Sequence, residues 1–225
     1  MTPRLEVRDL GTMSYAGALE VQRTIRERRI AGEIADDVLL LVEHPPVVTL
    51  GRGTRASSLP LPPAELARRG VEVVEVERGG DVTYHGPGQL VGYPILDLRA
   101  HRQDLHWYLR RLEDVLIQAL GGLGIEAQRH PGLTGVWTAG RKIASIGIHV
   151  KQWVTLHGFA LNVTTDLDSF DLIVPCGIPQ VVMTSVAAEL LRDDSDDLML
   201  ETRARVVDAF RDVFGASLPA ESATS

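Results

Sequence analysis

The only cysteine of the chain, Cys176, lies in a setting that could expose a reactive thiol. Pro175 and Gly177 flank it and favour a turn, and a turn can direct backbone N–H groups toward an oxyanion that forms beside the sulfur. A free cysteine is, however, more often a small buried hydrophobe. By itself the residue therefore fits two roles, the nucleophile of an acyl transfer or a core side chain.

A glycine-rich segment, residues 78–89, has the sequence Arg-Gly-Gly-Asp-Val-Thr-Tyr-His-Gly-Pro-Gly-Gln. Its glycines allow the backbone to approach a ligand closely, and Arg78, Thr83 and His85 add polar side chains. The Gly-x4-Gly-Lys-Ser/Thr pattern of a phosphate-binding loop is absent. We expect the segment to be a loop that forms one wall of a binding site, with a decorated surface loop as the alternative.

Two further segments carry small residues on predicted strands. In the first, Lys142 precedes Ser145 and Gly147, whose size leaves room beside the strand for an extended ligand. In the second, Gly158 and Ala160 alternate along the strand and therefore share one face. The two strands together predict a narrow pocket.

Taken singly, the other residues of these strands carry little weight. A lone lysine such as Lys142 is usually a surface charge, and a lone histidine such as His157 is usually a hydrogen-bonded structural residue. Phe159 is expected to face away from Gly158 and Ala160, into the core. Function is therefore indicated by the combination of segments and not by any one residue.

Together the segments resemble the lipoyl/octanoyl transferase family. They occur in the family's order over about residues 38–190, and the block Arg-Gly-Gly…His-Gly-Pro-Gly-Gln is the most specific of them. The matching pieces are residues 41–45, 49–52, 78–89, 93–95, 135–137, 141–147, 157–162, 175–178 and 184–185.

The resemblance implies a domain like the catalytic domain of biotin and lipoate ligases that uses a pre-activated thioester, with no ATP, other cofactor or metal. It implies that Cys176 is the nucleophile of an acyl-thioester intermediate and that Lys142 lowers the pKa of the thiol and acts as general acid and base. The substrate-binding residues that it implies are Arg78, Gly79, Gly80, Asp81, Val82, Thr83, Tyr84, His85, Ser145, Ile146, Gly147, Gly158, Phe159 and Ala160.

The implied reaction moves an octanoyl group from octanoyl-acyl carrier protein to a lysine of a lipoyl domain, the first step of endogenous lipoate synthesis. The implied acceptors are the E2 subunits of 2-oxoacid dehydrogenases and the H protein of glycine cleavage. Three alternatives remain open at this point. They are an ATP-dependent lipoate ligase, a non-catalytic acyl-binding module, and a cysteine hydrolase that pairs Cys176 with His85 or His157.

The elements that must position these residues are predicted to form one α/β domain over residues 1–216, followed by a short tail, residues 217–225, that we expect to be disordered. We expect a mixed β-sheet flanked by helices. Strands are predicted at residues 5–10, 38–42, 47–50, 71–76, 90–96, 135–138, 142–150 and 154–163. Helices are predicted at residues 14–31, 63–69, 105–120 and 197–214, with Ser14 and Asp104 as caps.

Composition restricts the class of protein further. The chain has 225 residues and a net charge of −7, which argues against a nucleic-acid-binding protein. One cysteine rules out an internal disulfide and suits the cytoplasm, and neither a signal peptide nor a membrane-spanning segment is predicted. Basic residues in the middle of the chain predict a positively charged entrance to the site on a protein that is acidic as a whole. They are Arg52, Arg55, Arg78, Arg141, Lys142 and Lys151.

Overall fold

Nine strands and five α-helices occur in the part of the chain that the computed structural model describes, residues 3–175, 181–192 and 195–215. The strands are β1 (Leu5–Thr12), β2 (Asp37–Glu43), β3 (Val47–Leu50), β4 (Glu72–Glu75), β5 (Val82–His85), β6 (Gln89–Ile95), β7 (Val136–Thr138), β8 (Arg141–Lys151) and β9 (Val154–Asn162). The helices are α1 (Tyr15–Ile30), α2 (Pro63–Arg68), α3 (Leu105–Gly121), α4 (Val186–Leu190) and α5 (Ser195–Gly215). The α/β class expected from the sequence is confirmed.

The strands form two mixed sheets, whereas the sequence predicted one. A six-stranded sheet has the order β1-β2-β6-β9-β8-β7, and a three-stranded sheet has the order β4-β3-β5. Parallel pairs occur only between β1 and β2 and between β3 and β4 among the described strands. The division follows from Pro45 and Pro46, because proline cannot donate to a strand ladder and the chain leaves the large sheet there.

The prediction that residues 78–89 form a loop is wrong for its centre, because Val82–His85 is strand β5. This strand pairs antiparallel with β3, with Val82 opposite Leu50 and His85 opposite Val47. Val82 and Tyr84 belong to the core of the small sheet, whereas Thr83 and His85 face the other way. The apolar–polar alternation of these residues is a strand signal that the surrounding glycines obscured.

The six-stranded sheet has a hydrophobic core on each face. On one face, Leu161 and neighbouring side chains pack with residues of α3 and α5, such as Leu112 and Phe210. On the other face, Ala160 and Tyr93 pack with residues of α1. A smaller core, which includes Phe170, covers the three-stranded sheet.

The helix ends follow local sequence signals. Ser14 accepts a hydrogen bond from the N–H of Gly17, and Asp104 accepts from the N–H groups of His106 and Trp107, as the predicted caps require. Helix α5 begins earlier than predicted, and α4 was not predicted. No helix within the described ranges has both the length and the apolar composition for crossing a membrane. The predicted tail, residues 217–225, lies outside those ranges.

The hairpin between β8 and β9 sets the register on which the site depends. Its two-residue turn consists of Gln152 and Trp153, with φ values of 50° and 64°. Positive φ at both positions is the geometry of a tight hairpin turn that matches the twist of the strands. The resulting register places Ser145 opposite Ala160 and Gly147 opposite Gly158.

Candidate active site

A cavity of about 210 Å³ lies on the α1 side of the six-stranded sheet. Residues of α1, β5, β6, β8 and β9 line it, together with two loops, residues 78–81 and 132–134. The predicted site residues that line it are Arg78, Gly80, Asp81, Val82, Thr83, His85, Lys142, Ser145, Ile146, Gly147, Gly158, Phe159 and Ala160. Segments that are far apart in the sequence therefore meet around one space.

Three predicted site residues are not among those that line the cavity. Tyr84 faces the small core, with its ring centroid 5.6 Å from that of Phe170. Gly79 donates its N–H to the carbonyl oxygen of Ile148 at 2.8 Å and so fastens the glycine loop to β8. Cys176 lies outside the described residues.

A β-bulge turns Lys142 toward the cavity. Val136 pairs with Ala144, but Trp137 pairs with Lys142, so Ile143 is an extra residue in β8. Ile143 and Ala144 both belong to the core on the α3 side. Without the bulge, strand alternation would place Lys142 on the face opposite Ser145 and Gly147; with it, all three line the cavity.

The aliphatic part of Lys142 is enclosed by Gly135 and Trp137. The residue is only 1% exposed, and its Nζ lies 5.1 Å from the centroid of the Trp137 ring, which is cation–π distance. Gly135 has φ +134°, and a Cβ built there would lie 3.0 Å from Cε of Lys142 and 2.6 Å from the carbonyl oxygen of Ala144. Only glycine therefore allows this close approach.

Glu113, which is fully buried on α3, holds the loop that leads to Gly135. Its carboxylate accepts hydrogen bonds from Arg110 at 2.6 Å, from Arg129 at 2.9 Å and from the N–H of Gly135 at 3.2 Å. Two guanidinium groups offset the burial of this charge. The network fixes the loop, and with it one side of the Lys142 pocket.

A hydrogen-bond relay connects β5 with the segment that follows the cysteine stretch. His85 Nδ1 donates to Gln89 at 2.8 Å, Gln89 Nε2 donates to Asn162 at 2.9 Å, and Asn162 Nδ2 donates to the carbonyl oxygen of Thr184 at 3.0 Å. The N–H of Thr184 in turn donates to the carbonyl oxygen of Lys142 at 2.9 Å. All four side chains are buried, so the relay is sheltered from water.

Arg78 is held in place by the small sheet. Its guanidinium donates to the carbonyl oxygen of Thr49 at 2.8 Å and to the Thr49 hydroxyl at 2.9 Å. Its side chain lies over β8, because a Cβ at Gly147 would be 3.0 Å from Cδ of Arg78. The absent side chain of Gly147 thus makes room for Arg78 as well as for a ligand.

Gly158 lacks a side chain for a reason other than the predicted one, which was to leave room in the pocket. A Cβ built there would lie 2.2 Å from the carbonyl oxygen of Gly92 and 2.6 Å from Cδ of Pro94, both on β6. Glycine is therefore required for the approach of the strands and not to widen the pocket.

The expectation of a positively charged site entrance is met only by some of the basic residues. Arg78 and Lys142 line the cavity, but Arg141 pairs with Glu189 at 2.8 Å and Lys151 pairs with Glu27 at 3.2 Å. Acidic partners thus balance two of the expected cations. Among the described residues, no three His, Cys, Asp or Glu side chains lie together as a metal site requires.

Several residues of the cavity were missed by reasoning from the sequence. Tyr15, Tyr93, Val91 and residues 132–134 also line it. Tyr15 is on the first helix, and no local pattern connects it with strands much later in the chain. Tyr93 lay within a family-like motif, which was the one available signal.

A second cavity, of about 680 Å³, adjoins the stretch that carries the cysteine. Pro175 and Val181, the described residues on either side of residues 176–180, both line it, and so does Met183. Met183 is the backbone partner of Lys142, whose N–H donates to the carbonyl oxygen of Val182 at 2.8 Å. Residues 181–183 therefore lie beside both the second cavity and the strand that bears Lys142.

The sequence and the fold define an acyl-handling class of protein. Residues 14–211 match the family described as the lipoyl protein ligase A/B catalytic domain, and the chain belongs to that family. Within it, the chain groups with proteins named octanoyltransferase. It is 56% identical to the one from Gloeobacter violaceus over 76% of this chain and 75% of that one. It is 51% identical to the one from Solibacter usitatus over 95% and 97%.

Solved structures share the fold at low sequence identity. A bi-partite lipoate protein ligase from Thermoplasma acidophilum superposes with a TM-score of 0.72 at 18% identity and covers 100% of this chain and 88% of that one. A biotin protein ligase from Aquifex aeolicus, in complex with biotin and ATP, gives a TM-score of 0.52 at 12% identity over 95% and 73%. The predicted likeness to the biotin and lipoate ligase catalytic domain is confirmed.

Proposed function

We propose that this octanoyltransferase moves an octanoyl group from acyl carrier protein to a lysine of a lipoyl domain through an acyl thioester on Cys176. The observation that carries the proposal is the buried Lys142, at one end of the cavity and paired through its backbone with the segment that follows the cysteine in the sequence. The relatives named octanoyltransferase support the acyl group and the reaction class.

The described residues support a short distance between Cys176 and Lys142. Pro175, the residue before Cys176 in the sequence, borders the second cavity. Met183, the backbone partner of Lys142, borders the same cavity. The sequence neighbour of the cysteine and the backbone partner of the lysine thus meet around one space, which supports the proposed pairing.

In the first half-reaction, the Cys176 thiolate attacks the carbonyl carbon of the octanoyl thioester. A new C–S bond forms, the C–S bond to the carrier breaks, and the ammonium of Lys142 protonates the departing thiolate, which leaves as a thiol. A free thiol is only about 3% thiolate at pH 7, so a neighbouring cation is needed to favour the reactive form. Exchange of one thioester for another is nearly isoenergetic, and no ATP is required.

In the second half-reaction, the amine of the acceptor lysine attacks the acyl-cysteine. An amide bond forms, the C–S bond to Cys176 breaks, and the amine proton passes to Lys142, which was left neutral by the first step. The thiolate and the ammonium are thereby restored. The acceptors proposed are lipoyl domains of 2-oxoacid dehydrogenase E2 subunits and the glycine-cleavage H protein, in the cytoplasm.

The cavity supports the choice of a hydrocarbon chain. Val91 and Ala160 contribute apolar surface, and no acidic side chain besides Asp81 is among its described lining residues. Asp81 is engaged with the hydroxyl of Ser58 at 2.6 Å and with the N–H of Val82 at 2.7 Å. Burial of each methylene contributes about 0.8 kcal/mol, so an octanoyl chain gains several kcal/mol in such a space.

The geometry disfavours a hydrolase with a Cys–His pair. His85 Nδ1 is committed to Gln89, and His157 lies beyond Gly158, on the side away from Lys142. Burial also lowers the pKa of both imidazoles, so neither would readily accept and hold a proton. A hydrolase would release free octanoate, whereas the proposed reaction modifies a protein.

The test is incubation with octanoyl-acyl carrier protein in the absence of ATP, followed by intact-mass measurement and addition of a lipoyl domain. We expect a covalent octanoyl gain on the wild type, which moves to the lipoyl domain. Cys176→Ala should give no adduct, and Lys142→Ala should be strongly impaired. Transfer that requires ATP would favour a ligase, release of octanoate a hydrolase, and binding without an adduct a carrier.

The chain offers a matched control for the lysine. Lys142 and Lys151 are its only lysines. Lys151 is half-exposed and pairs with Glu27 away from the cavity. Lys151→Ala should therefore transfer octanoyl at the wild-type rate. Equal loss in both lysine variants would refute a special role for Lys142.

A further inference from the structure

The cavity has two ends that the strand register distinguishes. Ser145, Ala160 and Val91 lie side by side in one row across β8, β9 and β6, and this row is the level used for comparison. Lys142 lies before this level on β8. Tyr93 lies two residues beyond that level on β6, and His157 lies beyond it on β9. From Lys142 to Tyr93 the Cα displacement is about 13 Å along the strands, once the bulge is counted, and about 10 Å across them. An acyl chain that begins near Lys142 therefore extends toward Tyr93 and His157.

The far end is closed by the side chains of Tyr15, Tyr93 and His157, which we call the end wall. All three are buried and line the cavity. The hydroxyl of Tyr15 lies 3.3 Å from Nδ1 of His157, which joins α1 to β9. The Tyr15 ring also stacks on His85, with centroids 5.8 Å apart.

His44 fixes the ring of Tyr93 from behind. Its Nδ1 lies 2.7 Å from the carbonyl oxygen of Met13, so this nitrogen must carry the proton and donate. Its Nε2 is then an acceptor, and the hydroxyl of Tyr93 donates to it at 2.7 Å. The wall is thus held by hydrogen bonds to elements outside the six-stranded sheet, and a longer ligand that displaced it would have to break them.

The wall is also uncharged at neutral pH. Burial raises the pKa of Tyr15 to about 12 and raises the pKa of Tyr93 well above its usual range. Burial lowers the pKa of His157 and His44. The Tyr93 hydroxyl is occupied by His44 and the Tyr15 hydroxyl lies against His157, so the rings can offer apolar surface to the terminal methyl of a hydrocarbon.

We propose that Tyr15, Tyr93 and His157 set the length of the acyl chain that the enzyme transfers. This inference rests on the proposed octanoyl transfer and specifies its substrate range. A chain longer than the cavity must displace hydrogen-bonded rings, and a shorter chain leaves part of the cavity unfilled. Each methylene that can be buried changes binding roughly fourfold, so two additional methylenes amount to about 15-fold.

The test compares decanoyl-, octanoyl- and hexanoyl-acyl carrier protein as donors for wild type, Tyr93→Ala, Tyr15→Leu and Tyr93→Phe. The quantity measured is the ratio of kcat/KM for decanoyl and octanoyl donors within one preparation. Any unfolded fraction lowers both rates equally and cancels. Tyr93→Phe retains the ring but loses the hydroxyl, so it separates the volume of the wall from its hydrogen bond.

We expect the wild type to prefer octanoyl, and the ratio to rise about tenfold or more in Tyr93→Ala and to rise in Tyr15→Leu. In Tyr93→Phe it should stay within about twofold of wild type. An unchanged ratio in both enlarged variants, or an equal rise in Tyr93→Phe, would overturn the proposal. If Tyr93→Ala does not fold, Tyr15→Leu, which alters a different element, decides.

Failure of the proposed function would be recognised separately, as absence of transfer by the wild type. The end wall is then tested by binding alone, in a Cys176→Ala background. Thermal stabilisation by free octanoate and decanoate is compared with and without Tyr15→Leu. A shift of preference toward decanoate supports the end wall whatever the chemistry, and an unchanged preference refutes it.

Discussion

Acidification should destabilise the fold through His85, and the structure gives the size of the effect. The side chain is buried against His44 and Tyr15, and burial lowers its pKa to about 3. In the unfolded chain a histidine has a pKa of about 6.5. The unfolded state therefore binds a proton at a pH where the native state does not. The contribution of His85 is complete above pH 6.5 and is lost as the pH falls from about 6.5 toward 3.

The magnitude follows from proton linkage. At pH 5 nearly all unfolded chains are protonated at this residue and very few native molecules are, so the free energy of unfolding decreases by about 2 kcal/mol relative to pH 7.5. His85→Gln removes the titration but retains an amide that can donate to Gln89. The variant should lose about 2 kcal/mol less than the wild type over the same interval.

Urea denaturation at pH 7.5 and pH 5.0 measures this difference. Other titrating groups near the site, such as His44 and His157, are present in both proteins and largely cancel. His106→Gln, at an exposed position on α3, is the control and should respond to pH as the wild type does. Equal losses in wild type and His85→Gln would show that the buried imidazole is not held neutral, and the reasoning would fail.

Three further predictions concern the cavity and the support of Lys142. Ala160→Leu should abolish octanoyl transfer while the urea midpoint stays near wild type, because the added side chain enters the cavity. Gly135→Ala should slow transfer at least tenfold and reduce the free energy of unfolding by about 1–3 kcal/mol, because its methyl group meets Lys142 and a positive φ is strained. Asn162→Ala should reduce the free energy of unfolding by about 2–3 kcal/mol, since it leaves the Thr184 carbonyl oxygen without its donor.

Each of these has a matched comparison. Gly158→Ala meets the backbone of β6, so it should destabilise the fold, unlike Ala160→Leu. Gly124 also has a positive φ, +83°, but open space around it, so Gly124→Ala should show strain without loss of transfer. Full activity in Gly135→Ala, normal octanoyl transfer in folded Ala160→Leu, or wild-type stability in Asn162→Ala would contradict the corresponding assignment.

The sequence predicted most elements and most of the cavity because alternation and glycine placement are local signals. Ser145, Gly147 and Ala160 could be assigned to one space from strand period and size alone. The sequence correctly predicted that Gly158 lines the cavity. The atoms that a Cβ at this position would meet lie on β6, which is far away in the sequence. The sequence therefore could not show why this residue must be glycine.

Non-local features account for what sequence reasoning missed. Tyr15 reaches the cavity only because α1 covers the six-stranded sheet, a packing choice that no local pattern encodes. Glu113 supports Lys142 through a loop anchored on another helix. The division into two sheets depends on where the chain turns after Pro46. These outcomes are decided by how the elements pack.

The bulge at Ile143 makes the lysine sensitive to a kind of change that substitution experiments do not explore. Side chains on a strand alternate with period two, so in a regular ladder the two residues between Lys142 and Ser145 would place these side chains on opposite faces. Insertion of one residue into β7 between Val136 and Trp137 would give Ile143 a partner and remove the bulge. This insertion would preserve every chemical group of the cavity and would direct the ammonium into the apolar layer under α3. Length at this point, more than composition, therefore determines whether the strand carries a site.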